Sequence, residues 1–128
     1  MTNPFSLGFV AVFNEPLNEA QLRYLMQSWL ERYERIEQVV ERDVATTQVE
    51  GPDEVRWEKN LQFRILNGDE FAWVYITRDS RVIETTGMPK NEDVSLCLDL
   101  LIELPGLREI VPDNDEARLT QLEAEGLL

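Results

Sequence analysis

The chain has no histidine and one cysteine in 128 residues. Without imidazole it lacks the usual general base, the Ser-His and Cys-His nucleophile pairs and the commonest transition-metal ligand. A lone thiol can build neither a structural zinc site nor an intramolecular disulfide. Cys97 sits between Leu96 and Leu98, a setting in which the sulfur reads as a small buried hydrophobe rather than a nucleophile. The N-terminal MTNPFSLGFVAVF lacks the basic flank and small-residue cleavage site of a secretory signal. With the cysteine usage, this points to a reducing, cytoplasmic setting.

Long apolar runs are also missing. SLGFVAVF and LCLDLLIEL fall well short of the ~20 residues that cross a bilayer, and Asp99 and Glu103 interrupt the second. The six glycines, at 8, 51, 68, 87, 106 and 126, are isolated, so neither a phosphate-cradling loop nor a dinucleotide fingerprint is present. No cofactor is expected.

Basic residues are scarce: 12 Lys and Arg against 25 Asp and Glu give a net charge of −13. A field of that sign repels phosphate backbones and anionic lipid and steers basic partners inward. Nucleic acid and membrane are therefore not expected ligands. The imbalance is concentrated downstream, with 11 acids against 7 bases in residues 1–64 and 14 against 5 in residues 65–128. So many carboxylates make some close pair inevitable, which makes any single pair weak ground for acid/base catalysis. Asp113-Asn114-Asp115-Glu116 looks like a calcium-loop fragment but lacks the glycine and distal glutamate of that pattern. A helix cap explains it better, and no metal is expected.

What remains is ordinary globular material of a length suited to one domain, residues 1–128. Phe5, Leu7, Phe9 and Phe13 alternate with Val10 and Val12, predicting a largely buried strand. After Pro16, Asn18 can cap a helix with Gln21 reaching back and Leu17 stapling onto Leu22. Leu22, Leu25, Met26, Trp29, Tyr33, Ile36 and Val40 then follow at steps of three and four, predicting an amphipathic helix of about six turns. Residues 43–54 read as a loop around Gly51-Pro52, with Ala45–Val49 as a short candidate strand. Val55, Trp57, Leu61, Phe63 and Ile65 alternate into the Asn67-Gly68 turn. Return strands cover Glu70–Thr77 and Arg81–Thr86, joined through Arg78-Asp79-Ser80. A second helix, capped by Asn91 and favoured by Glu92 and Asp93, runs to about Leu104 with Val94, Leu98, Leu101 and Ile102 as its stripe. A last helix spans Asn114–Glu125, with Ala117, Leu119 and Leu122 inward. The resulting order, β-α-β-β-β-α-α, predicts an α+β fold: a mainly antiparallel four-stranded sheet with helices packed on one face.

One constellation stands out. In Phe71-Ala-Trp-Val-Tyr-Ile76 both faces of the strand are apolar, so Phe71, Trp73 and Tyr75 form an aromatic strip that needs a cover. The last helix, a second copy of the chain and another protein are the three candidates. The strip, with Asp113, Asp115 and Glu116 from the acidic half, is the candidate partner-binding surface.

The segments NPFSLGFVAVFNEPLNEAQLRYLMQSWLERYERIEQ and WEKNLQFRILNGDEFAWVYITRDSRVIETTG resemble a sporadically distributed family of uncharacterised bacterial proteins over roughly residues 3–104. Phe13, Pro16 and Leu17 match its strand-to-helix turn, Arg32-Tyr33 a segment closing the helix, and Arg78-Asp79 a later turn; Glu34 stands where that family has proline. The resemblance implies an order of elements and no activity. From the residues themselves, the first expectation is a non-enzymatic, acidic protein-binding protein that neutralises a basic partner, of the immunity, antitoxin or phage-inhibitor type. A dimeric secretion-type chaperone or adaptor is the alternative, and an enzyme working through carboxylates alone ranks last.

Overall fold

The structure, a computed structural model, describes Phe5 and residues 8–40, 45–58, 60–86 and 93–128. Strand β1 is Phe9–Phe13, helix α1 Glu19–Arg32, β2 Arg35–Val40 and β3 Ala45–Val49; a 3-10 turn at Pro52–Glu54 follows. Then come β4 at Leu61–Asn67, β5 at Glu70–Thr77, β6 at Val82–Thr85, α2 at Asp93–Ile102, β7 at Leu107–Pro112 and α3 at Glu116–Ala124. The predicted Asn91 cap, Glu92 and the Gly87-Met88-Pro89 stop lie outside the described residues.

All seven strands join one antiparallel sheet in the order β3-β2-β4-β5-β6-β1-β7. This corrects the four-stranded expectation while leaving the broad α+β mixture. The long first helix is the main source of the difference. Its capping box forms as read, with Gln21 N–H donating to Asn18 Oδ1 and Asn18 N–H to Gln21 Oε1, both at 2.9 Å. It stops at Arg32, however, where Tyr33 turns to extended backbone. Ile36 and Val39 are β-branched and pack better on a pleated surface than in a helix. Between β3 and β4, moreover, β2 gains hydrogen-bonded neighbours on both sides. The other unpredicted strand, β7, is an edge strand gained by pairing with β1.

The helices divide between the two faces, another departure from the single covered face. On one side α1 brings Leu22, Leu25, Met26 and Trp29, and α2 brings Cys97 and Leu101, onto Phe9, Phe13, Phe63, Ile65, Val74 and Ile83. Ile102, expected in the α2 stripe, is exposed, while Leu98 and Leu101 pack inward as expected, with Cys97 beside them; the side chain of Val94 lies outside the described residues. On the other side α3 seats Leu122, with Leu119 beside it, on Val10, Val12, Val82 and Val111. Ala117 is exposed there rather than inward. These alternate residues of β1 are why the strand is buried on both faces.

Candidate functional site

α3 lies over β1, β6 and β7, and among the described residues no helix covers the β5-β4-β2 part of the same face. The β4–β5 hairpin turns through Gly68 (φ 66°) and Asp69, and Asn67 opposes Glu70. That register sets Arg64 opposite Trp73, Gln62 opposite Tyr75 and Leu66 opposite Phe71. Phe71 is 55% exposed, while Trp73 and Tyr75 are half-buried. The three rings form a ladder along β5: Phe71 meets Trp73 edge-on at 6.3 Å, and Trp73 stacks on Tyr75 at 6.4 Å. Such ring pairs add to the apolar contact and hold the strip rigid.

A charged brace flanks the ladder. The Arg64 guanidinium lies 5.9 Å from the Trp73 ring centre and donates through Nε to Glu37 at 2.9 Å and also through Nη2. Arg35 pairs with the same carboxylate at 2.9 Å. Glu37 is buried, a position a carboxylate holds when its charge is matched and its oxygens bonded. The brace fixes Arg64, and Arg64 in turn fixes the indole plane.

On the other flank Glu84 of β6 lies opposite Tyr75 and opens into a cleft of about 470 Å³ between the sheet and α3, which Asp113, Glu116 and Glu123 also line. Partial burial and the nearby Asp113 charge push the Glu84 carboxyl above its ordinary value. A second cleft of about 610 Å³, beside Tyr75 and Gln62, shares Thr77 and Arg78 with the first. Arg78, Asp79 and Ser80 all have left-handed φ values of 55°, 55° and 68°. This turn is held by Leu17 N–H to Ser80 O at 2.9 Å and by Arg81 Nη2 to Asn14 O at 2.8 Å. Close approach fixes the backbone beside Asp113: Gly8, whose carbonyl accepts from Asp113 N–H at 3.0 Å, has φ +125°, and a Cβ there would come 2.5 Å from Thr85 O.

Five of the six residues singled out in the sequence thus share one face. The ladder and the pair Asp113 and Glu116 are joined through Glu84. Asp115 instead caps α3, accepting from Arg118 N–H at 3.2 Å. Arg64, Glu37, Glu84 and Glu123 were not anticipated. The hairpin register makes Arg64 legible once Asn67-Gly68 is taken as the turn, but Glu84 depends on the register set by the Arg78-Asp79-Ser80 turn, whose place the residues show and whose left-handed geometry they do not.

Away from this face, Cys97 is buried against α1. Burial pushes its thiol up to about 12, opposed only in part by Trp29 and Arg32, so it stays protonated and unreactive near neutrality. Among the described residues no cluster of three or more Cys, Asp or Glu side chains is arranged to hold a metal ion. No helix among them is long and apolar enough to cross a membrane. Comparison with family models, curated proteins and solved structures found no match.

Proposed function

We propose that this chain is a non-enzymatic protein-binding protein that captures and neutralises a basic partner on the open half of its sheet. The observation that carries this reading is the aromatic ladder, which α3 leaves uncovered and which lies between a fixed arginine and a carboxylate-lined cleft. Large rigid rings supply contact area at little entropic cost, the usual make-up of an interface anchor. The rim matches a partner with an apolar contact and Lys or Arg beside it: the rings take the apolar part, while Glu84, Asp113, Glu116 and Glu123 receive the cations. Net charge speeds encounter and the ladder gives residence time.

Tagged capture from native lysate at low and high salt, with Trp73→Ala alongside the parent protein, tests this. A basic protein retained by the parent, released by salt and lost from folded Trp73→Ala is the expected result. An unchanged set of bound proteins in Trp73→Ala would refute it.

A further inference from the structure

The two edges of the sheet are protected very differently. Edge strand β7 carries Arg108 and Glu109, ends in Pro112 and follows Pro105-Gly106; Glu109 is further engaged by Arg118 of α3. Charge, proline and a covering helix are the ordinary means of keeping an edge from pairing. The opposite edge, β3, carries no charge or proline within Ala45-Thr-Thr-Gln-Val49, although Glu50-Gly51-Pro52 follow it, and among the described residues β2 is its one paired strand. Thr47 and Gln48 are exposed. Alternate backbone N–H and C=O groups of such a strand point away from its one neighbour, ready for a further strand.

We infer that β3 is a self-pairing edge: a second copy of this chain adds its own β3 antiparallel across a two-fold axis at Thr47, making one continuous sheet. The strand reads nearly the same against itself. Thr47 falls opposite Thr47, and because the strand carries no charged residue no like charges are opposed within it. In a chain of net charge −13, an uncharged edge is where a second copy can approach closely. A basic strand from elsewhere would find no carboxylate within β3 to recognise. The axis stands perpendicular to the sheet, so both aromatic ladders emerge on the same face. With β2 and β4 between β3 and β5 and about 4.8 Å per strand, each ladder stays clear of the junction. The dimer therefore stands or falls independently of the partner surface proposed above.

Light scattering and sedimentation over a concentration series test the pairing. The parent protein is expected at twice the chain mass, dissociating on dilution. Thr47→Lys and Thr47→Glu each place two like charges face to face on the axis. Both should raise the dimer dissociation constant by about fivefold or more with unchanged far-ultraviolet circular dichroism. Loss with either sign separates local repulsion from a general charge effect. Trp73→Ala should leave the dimer intact. A single-chain mass for the parent at every concentration, a dimer that survives both Thr47 substitutions, or one lost in Trp73→Ala but kept in Thr47→Lys would each overturn the inference.

Discussion

Replacing Trp29 by alanine and by phenylalanine should give sharply different results, because two opposing terms act on one ring. Trp29 is 3% exposed beneath the sheet, and truncation to alanine at such a site costs ~3–5 kcal/mol through lost contacts and the cavity left behind. For a domain near this size that lowers the melting temperature by roughly 10–20 °C. The indole Nε1 is also buried without a hydrogen-bond partner; it lies toward the Cys97 sulfur without reaching bonding geometry. Phenylalanine removes that donor and relieves about 1–3 kcal/mol of uncompensated desolvation. The smaller ring leaves ~40 Å³ unfilled, which costs about 1 kcal/mol. Trp29→Phe should therefore stay within about 1–2 kcal/mol of the parent, on either side of it, while Trp29→Ala unfolds readily. Urea titrations followed by circular dichroism measure both. If phenylalanine costs as much as alanine, the N–H is satisfied in solution and the reasoning fails; if alanine costs nothing, the ring is not in the core.

Val74→Ala should destabilise the fold by ~1–3 kcal/mol, since Val74 is fully buried, whereas Trp73→Ala should melt close to the parent; equal losses in thermal melts would show the ladder to be internally covered. Cys97 should resist alkylation at pH 8 until the protein is unfolded in urea, because its thiol is held near 12; fast labelling of native protein would contradict that. Glu84→Gln should raise stability at pH 7: a carboxyl whose folded pKa is raised is penalised once ionised, and the penalty vanishes as pH falls below the unfolded value of ~4.5. The side chain is exposed, so screening keeps the gain small. Glu109→Gln should do the reverse, because Arg118 lowers the Glu109 pKa and the stabilisation is present above ~4.5 and lost as pH falls through the folded value. Melts across pH 3–8 in which Glu84→Gln lowers stability at neutral pH would refute the first assignment, and ones in which Glu109→Gln raises it would refute the second.

Local signals were legible where they were strong and short-range. The Asn18 and Gln21 cap, the double-sided burial of Phe9–Phe13, the Asn67-Gly68 hairpin and the alternation in Phe71–Ile76 could all be read from the residues. The pattern failed at Tyr33, Ile36 and Val40. Their spacing fits a helix, but Ile36 reaches the same core from a strand, so apolar spacing alone could not separate the two. What decided the matter was pairing with β3 and β4, which is nonlocal. The half-open face was illegible for a related reason: Leu119 and Leu122 show that α3 packs somewhere, but only the order of the sheet shows that it packs over β1 and β6 rather than over Trp73.

The placement of β1 in the sheet has a consequence for the chain as it is synthesised. Phe9–Phe13 is made well before its ladder neighbours, Val82–Thr85 and Leu107–Pro112. The β2–β3 and β4–β5 hairpins, which meet through β2 and β4, pair over shorter separations and can close early. The uncharged FVAVF segment must wait for β6 and β7 to emerge, and sheet closure around it carries the long loop entropy that makes nonlocal pairing slow. During that interval it has the features of a sticky strand: apolar, rich in β-formers and free of charge or proline. A chain cut short before Leu107 leaves β1 as the sheet edge, with the valines that α3 would cover, Val10 and Val12, open to solvent. A chain ending before β7 is therefore expected to aggregate rather than to work in shortened form.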